Sequence, residues 1–233
     1  MSNKFLSFQA YFVLAGIHLF ALLAGESFNW LIMVTKPLLL LLLIAIFYLQ
    51  SKSSSGNFKK LVLAALFLSW LGDVLLLFQQ SDANFFLAGL VSFLAAHIFY
   101  ILAFRKTTLH HSLTIIKEKP WLILLFVAYG AGFYFLIRNG LGEMKVPVML
   151  YMVVILMMSL VALNRFRRVE YHSFVLVFAG ALSFMASDSL LAINKFYVSF
   201  PLSGFLIMLT YIIAQYLIVK GTLAQLASER LKA

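Results

Sequence analysis

Two aspartates stand where a carboxylate is costly. Asp73 lies in Leu68-Ser69-Trp70-Leu71-Gly72-Asp73-Val74-Leu75-Leu76-Leu77, and Asp188 lies in Leu182-Ser183-Phe184-Met185-Ala186-Ser187-Asp188-Ser189-Leu190-Leu191. Apolar residues flank both. Holding a carboxylate in lipid costs about 2.5–3.5 kcal/mol even on an insertion scale, so a buried pair is a functional-site hypothesis. The chemistry open to it is proton transfer to a bound molecule, a proton relay in transport, or hydrogen bonding between helices. Asp82 reads differently, as a solvated loop residue near a helix end.

Other polar groups recur inside apolar runs. Lys36 is followed by Pro37; a proline there leaves the carbonyl of Met33 without its helical partner, which suits a polar pocket, although a lysine can also snorkel to the interface. Lys195 falls seven residues after Asp188 on the same helical face, next to Asn194, where a phosphate contact and simple anchoring are both open. His97 shares a face with Phe86, Gly89, Phe93 and Tyr100, and Tyr211 shares one with Gln215. For each, a structural role stands beside a catalytic one. His18, His172 and the adjacent loop pair His110 and His111 form no ligand set, and the chain has no cysteine. Neither a metal nor a cofactor is expected.

The elements that must position these residues are helices in a bilayer. Of the 233 residues 64% are hydrophobic and only 11% charged, against about a quarter charged in a soluble domain. Apolar stretches long enough for about 30 Å of hydrocarbon run over 6–25, 29–49, 60–79, 84–104, 120–138, 146–164, 173–193 and 201–220. The expected fold class is therefore all-α, a polytopic membrane bundle of eight transmembrane helices, with 1–233 as a single transmembrane domain. The first stretch ends in Ala-Leu-Leu-Ala-Gly, which loosely resembles a cleaved signal. Its length and the seven spans behind it favour a true span.

A net charge of +10 would point to nucleic acid in a soluble protein. Here the basic residues fall between spans, so they report topology and no nucleic-acid partner is expected. Fourteen of the eighteen, including Lys52, Lys59, Lys60, Arg105, Lys106, Arg165, Arg167 and Arg168, fall on one side; Arg138, Lys145 and Lys195 fall on the other. The positive-inside rule then places both termini in the cytoplasm, in an inner or plasma membrane. Counting about 1.5 Å per residue from the ends of their helices, Lys36, Asp73, Tyr151 and Asp188 all reach the outer half of the bilayer. Four helices bringing polar groups to one layer predict a shared cavity.

The halves of the chain also read as a four-plus-four repeat. Gly72-Asp73-Val74-Leu75-Leu76 is matched by Ser187-Asp188-Ser189-Leu190-Leu191, and Pro37 by Pro147. Two halves of four helices share an orientation, which would make the aspartates symmetry mates facing across the bundle axis.

These same residues carry a family resemblance. Lys36-Pro37-Leu38, Gly72-Asp73, Phe85 through His97 and Tyr100, Tyr151, the run from Gly180 to Phe196, and Tyr211 with Gln215 together resemble the YhhN family of transmembrane proteins. The match spans nearly the whole chain, and the Ser-Asp-Ser-Leu-Leu-Ala-Ile-Asn-Lys-Phe order is its most specific part. The resemblance implies a lysoplasmalogenase, a hydrolase of the vinyl ether bond of lysoplasmalogens that yields a fatty aldehyde and a glycerophospho-alcohol. The implied partners are a lysophospholipid-like substrate and membrane lipid; the oligomeric state stays open.

That reaction needs a proton donor and a nearby anion, and a carboxylic acid in an apolar site can remain protonated near neutral pH. Asp73 and Asp188 fit the pair in either order. Lys36, Tyr151 or Ser187 would keep one of them ionised, and Lys195, Asn194 or Lys36 would hold a phosphate. The rival reading is a proton-coupled transporter or flippase. Pro120, Pro147 and Pro201 sit at helix starts and only Pro37 falls within a span, so the broken helices of many transporters are not evident.

Overall fold

The computed structural model describes residues 3–106 and 114–232, with side chains from Phe8 onward and up to Leu231. His110 and His111 lie outside the described residues, as does most of the Thr107–Lys119 connection. What is described is helical throughout: α1 (Asn3–Ala24), α2 (Asn29–Gln50), α3 (Asn57–Leu77), α4 (Ala83–Lys106), a single turn α5 (Ile115–Glu118), α6 (Trp121–Ile137), α7 (Lys145–Leu163), α8 (Tyr171–Phe196) and α9 (Ser203–Lys232).

Seven of these, α2 to α4 and α6 to α9, are long and apolar enough to cross a membrane among the described residues. The eighth expected span is α1, whose described apolar part, Phe8–Ala24, is shorter. It is nonetheless built into the bundle, since Tyr11 is fully buried and donates its hydroxyl to the carbonyl of Ile212 at 3.0 Å. The last span runs well past the expected end at 220, continuing as helix to Lys232. Large apolar side chains such as Trp30, Phe20, Leu124 and Phe135 are exposed on the outside, as a lipid-facing surface requires.

The helix ends follow local chemistry. Gly25 bridges α1 to a 3-10 turn at φ 90°, a backbone conformation that L side chains rarely adopt. Asp82, confirmed as an exposed loop residue, accepts from the backbone N–H of Asn84 at 2.8 Å where α4 begins. Glu170 caps α8 by accepting from the N–H groups of His172 and Ser173, each at 3.0 Å. Pro37 is carried within a continuous α2.

Packing falls into two close hairpins. In α3/α4, the Ser92 hydroxyl donates to the Leu68 carbonyl at 2.7 Å, and a Cβ at Gly72 would meet the Phe93 ring at 2.6 Å. In α8/α9, Ser187 donates to the Ile207 carbonyl at 2.9 Å and Ser173 to that of Gly221 at 2.8 Å. A Cβ at Gly180 would meet the Ala214 carbonyl at 3.0 Å. Small residues permit this approach where lipid supplies no hydrophobic drive between helices. Around the hairpins, α2 packs on α3 as α7 packs on α8, and α4 meets α7 as α9 meets α2. The two halves thus share one contact order, with α1 and α6 as the outermost helix of each. The symmetry fails at those outer helices: α1 also packs on α9, whereas α6 packs on α7 and α8.

Candidate functional site

A cavity of about 620 Å³ opens among the helices and is lined by Lys36, Asp73, Tyr151 and Asp188 together. The expected layer of polar groups is therefore a common chamber. Its volume is in the range of small-molecule sites. It lies toward the end of the bundle that carries few basic residues, where Asn29, Gln79, Gln80, Ser81 and Asn194 surround its mouth.

Each aspartate is held by one helix of its own half and one of the other. Asp73, on α3, has the Lys36 ammonium of α2 at 3.8 Å from Oδ1, and accepts the Tyr211 hydroxyl of α9 on Oδ2 at 2.7 Å. Asp188, on α8, accepts the Tyr151 hydroxyl of α7 on Oδ2 at 2.5 Å, with Nε2 of His97 on α4 at 4.0 Å. Since α2 corresponds to α7 and α4 to α9, Lys36 and Tyr151 come from corresponding helices, as do Tyr211 and His97. The frame is symmetric and the chemistry is not. One carboxylate faces a cation and a phenol, the other a phenol and an imidazole. Asp188 is also the more open to the chamber, with its side chain 17% exposed against 3% for Asp73.

Behind Asp73 the network continues: Tyr211 accepts from the Gln215 amide at 3.3 Å, and Gln215 accepts from Tyr100 at 3.0 Å. Tyr211 therefore reaches the site, whereas Gln215 joins it only through Tyr211 and pairs α9 with α4 through Tyr100. His97 is fully buried beneath Asp188, with Tyr151 and Phe184 packed against its ring. It does not line the chamber.

One expected role is corrected. The Ser187 hydroxyl borders the chamber but donates to the Ile207 carbonyl, so it fastens α8 to α9 and serves neither carboxylate. Lys195 is exposed at the mouth with its ammonium 4.9 Å from the Phe86 ring centre, and it is outside the lining, while its neighbour Asn194 is within it. The side-chain oxygen of Asn194 is buried without a hydrogen-bond partner.

The structure also brings in residues that the sequence left aside. His18 borders the chamber, fully buried, with Nδ1 2.7 Å from the Thr35 hydroxyl. Thr35 donates its single proton to the Leu31 carbonyl at 2.6 Å, so Nδ1 is the donor to Thr35. Tyr129 and Phe133 of α6 border the chamber from the far side. A fully buried Arg165, at the opposite end of the molecule, donates to Ser173 at 3.0 Å and to Gln225 at 2.5 Å. Only long-range packing identifies these residues.

The chain is similar in sequence to known proteins. Lysoplasmalogenase TMEM86B of Homo sapiens is 28% identical over 198 residues, 85% of this chain and 78% of its own. Lysoplasmalogenase TMEM86B of Sus scrofa is 26% identical over 209 residues, 89% and 82% of the two chains. Lysoplasmalogenase TMEM86A of Bos taurus is 30% identical over 175 residues, 74% and 67%. No solved structure matches the chain. The YhhN family model matches residues 31–222, which take in both aspartates and every side chain that touches them, and the chain belongs to the YhhN family.

Proposed function

We propose that the protein is a membrane-embedded lysoplasmalogenase. The observation that carries this reading is one chamber presenting two carboxylates with unlike partners, one beside a cation and one without, to a molecule bound within it. The names of the relatives support the substrate class. By the positive-inside rule the basic end is cytoplasmic, so both termini lie inside and the lipid arrives from the outer leaflet.

Asp188, uncompensated by a cation and open to the chamber, acts as the proton donor. Its proton goes to the alkenyl carbon distal to the ether oxygen, leaving an oxocarbenium ion. Asp73, held as an anion by Lys36 and Tyr211, stabilises that cation and accepts a proton from the water that attacks the carbon next to oxygen. As the hemiacetal collapses, Asp73 returns its proton to the departing alcohol oxygen and the hemiacetal hydroxyl proton passes to Asp188, giving a fatty aldehyde and the glycerophospho-alcohol for a net addition of one water. Glycosidases divide the same labour between two carboxylates around a similar cation. The polar mouth, with Asn194 in its lining and the exposed Lys195 beside it, receives the head group.

The test is incubation of purified protein in detergent with lysoplasmalogens, lysophospholipids and diacyl lipids, with products identified by mass. Aldehyde release from the vinyl ethers is expected. Asp188→Asn and Asp73→Asn should each lower it by about 10²–10⁴-fold, the usual contribution of a positioned acid or base. Full activity in both variants would exclude the mechanism. A protein that moves lipid across vesicles but cleaves none would be a carrier.

A further inference from the structure

The chamber is too shallow for the tail of the lipid it is read to cleave, and this defines a second subsite. Asp188 lies eight residues from the outer end of α8, and Met185, three residues deeper, is the deepest residue of α8 in the chamber lining, as Leu156 is of α7. Three residues amount to about 4.5 Å of helix. One leaflet of a bilayer accommodates a tail of about 15 Å, half of its hydrocarbon thickness. A chain whose first carbons sit at Asp188 must therefore leave the chamber sideways, between helices.

The fold offers two corresponding covers, and they are not equally firm. On one side α1 borders the chamber with His18, and it is fixed by the fully buried Tyr11 and Ala21 and by the Tyr11 hydrogen bond to α9. On the other side α6 borders it with Tyr129 and Phe133, yet only Gly130 and Ile137 of α6 are buried. Its span is 11% buried, against 50% for α9. Toward α7 the cover is closely packed, because a Cβ on Gly130 would fall 2.6 Å from Leu156. Toward α8 the outer end of α6 is packed, Ile137 sharing an apolar cluster with Ala192 and Phe196, and below it a hydrogen bond joins the Tyr129 and Ser189 hydroxyls at 2.6 Å, beside Asp188 in sequence. A hydroxyl pair is a weak closure, worth about 1–2 kcal/mol or less between membrane helices.

We propose that the single hydrocarbon tail of the substrate enters and lies in a lateral port between α6 and α8, which the Tyr129–Ser189 hydrogen bond closes at rest. The proposal rests on the hydrolase reading for the identity of the amphiphile. The tail threads past Tyr129 while the head group stays at the mouth, so an intact lysolipid reaches Asp188 without leaving the bilayer.

Because the chain has no cysteine, Tyr129→Cys and Ser189→Cys can be introduced together and bridged by a short, thiol-reversible bifunctional methanethiosulfonate in the full-length protein. The bridged protein should cleave a hexadecenyl lysoplasmalogen about tenfold more slowly or worse, as for a blocked entry step. It should cleave a soluble butenyl analogue at its unbridged rate, and thiol should restore the long-chain rate. Equal cleavage of the long-chain probe before and after bridging, or equal loss of both probes, overturns the port. A non-cleavable alkyl ether lysolipid with a diazirine at its tail tip gives a readout independent of hydrolysis. Labelling of α6 and the facing side of α8, lowered by the bridge, is expected; labelling of α1 or α2 overturns the port even if no vinyl ether is cleaved, whereas α6 labelling without any cleavage overturns only the hydrolase reading.

Discussion

Replacing Lys36 by methionine separates what holds the site together from what makes it reactive. The Lys36 and Asp73 side chains are 14% and 3% exposed with 3.8 Å between Nζ and Oδ1, so the pair is largely out of bulk solvent. Removing one partner of such a pair typically costs about 3–5 kcal/mol, because the other charge is left without compensation. Tyr211 still donates to Oδ2 of Asp73 at 2.7 Å, which puts the expectation near the lower end, about 3 kcal/mol. For a chain of this size that is a fall in apparent Tm of roughly 6–12 °C. Methionine keeps the length of lysine, so little packing is lost. The double variant Lys36→Met with Asp73→Asn carries neither charge and should recover most of the loss while remaining inactive. The assay is thermal unfolding of detergent-purified protein followed by tryptophan fluorescence at a fixed scan rate, with aldehyde release measured on the same samples. A Lys36→Met protein that melts with the parent, or a double variant that melts no higher than Lys36→Met, would refute the account of Lys36 as the counterion of Asp73.

Three further outcomes follow from the packing and the networks. Gly180→Val should destabilise by about 1–3 kcal/mol through overpacking, since its side chain meets the Ala214 carbonyl and Ile218, whereas Gly132→Ala, with nothing within 4 Å, should be neutral or stabilise by up to about 1 kcal/mol through helix propensity; paired melting curves decide this. Tyr151→Phe and Tyr211→Phe each delete one hydroxyl from a carboxylate and should lower aldehyde release more than they lower Tm, which parallel kinetics and melting would check. Arg165→Met should cost about 1.5–3 kcal/mol, the value of charge-assisted hydrogen bonds, here to Ser173 and Gln225; it should leave the turnover of the remaining folded protein intact, measured per mole of monodisperse protein.

How much of this was legible beforehand depends on the range of the interaction. Asp73 and Asp188 announce themselves because lipid makes a carboxylate expensive wherever it stands, a cost that needs no neighbour to be recognised. Helix positions follow for the same reason, and with them the depth of Lys36 and Tyr151. The face shared by Phe86, Gly89, Phe93, His97 and Tyr100 is likewise local periodicity, and all five are buried on α4. Ser187 shows where this reasoning fails: its place beside Asp188 suggested a carboxylate partner, but adjacent helical residues point in different directions, and its hydroxyl meets the Ile207 carbonyl of α9 instead.

The sequence by itself determined an all-helical membrane bundle, the doubled Gly-Asp and Ser-Asp motifs, and the layer in which the polar groups lie, because hydrophobicity and rise per residue act along one chain. Only the tertiary structure decided which group each carboxylate faces. Lys36 and Tyr211 converge on Asp73, and Tyr151 and His97 on Asp188, because α4 closes on α7 and α9 on α2. Those pairings join residues up to 138 positions apart. No local rule carries that far; the unlike surroundings of two like aspartates are a product of packing.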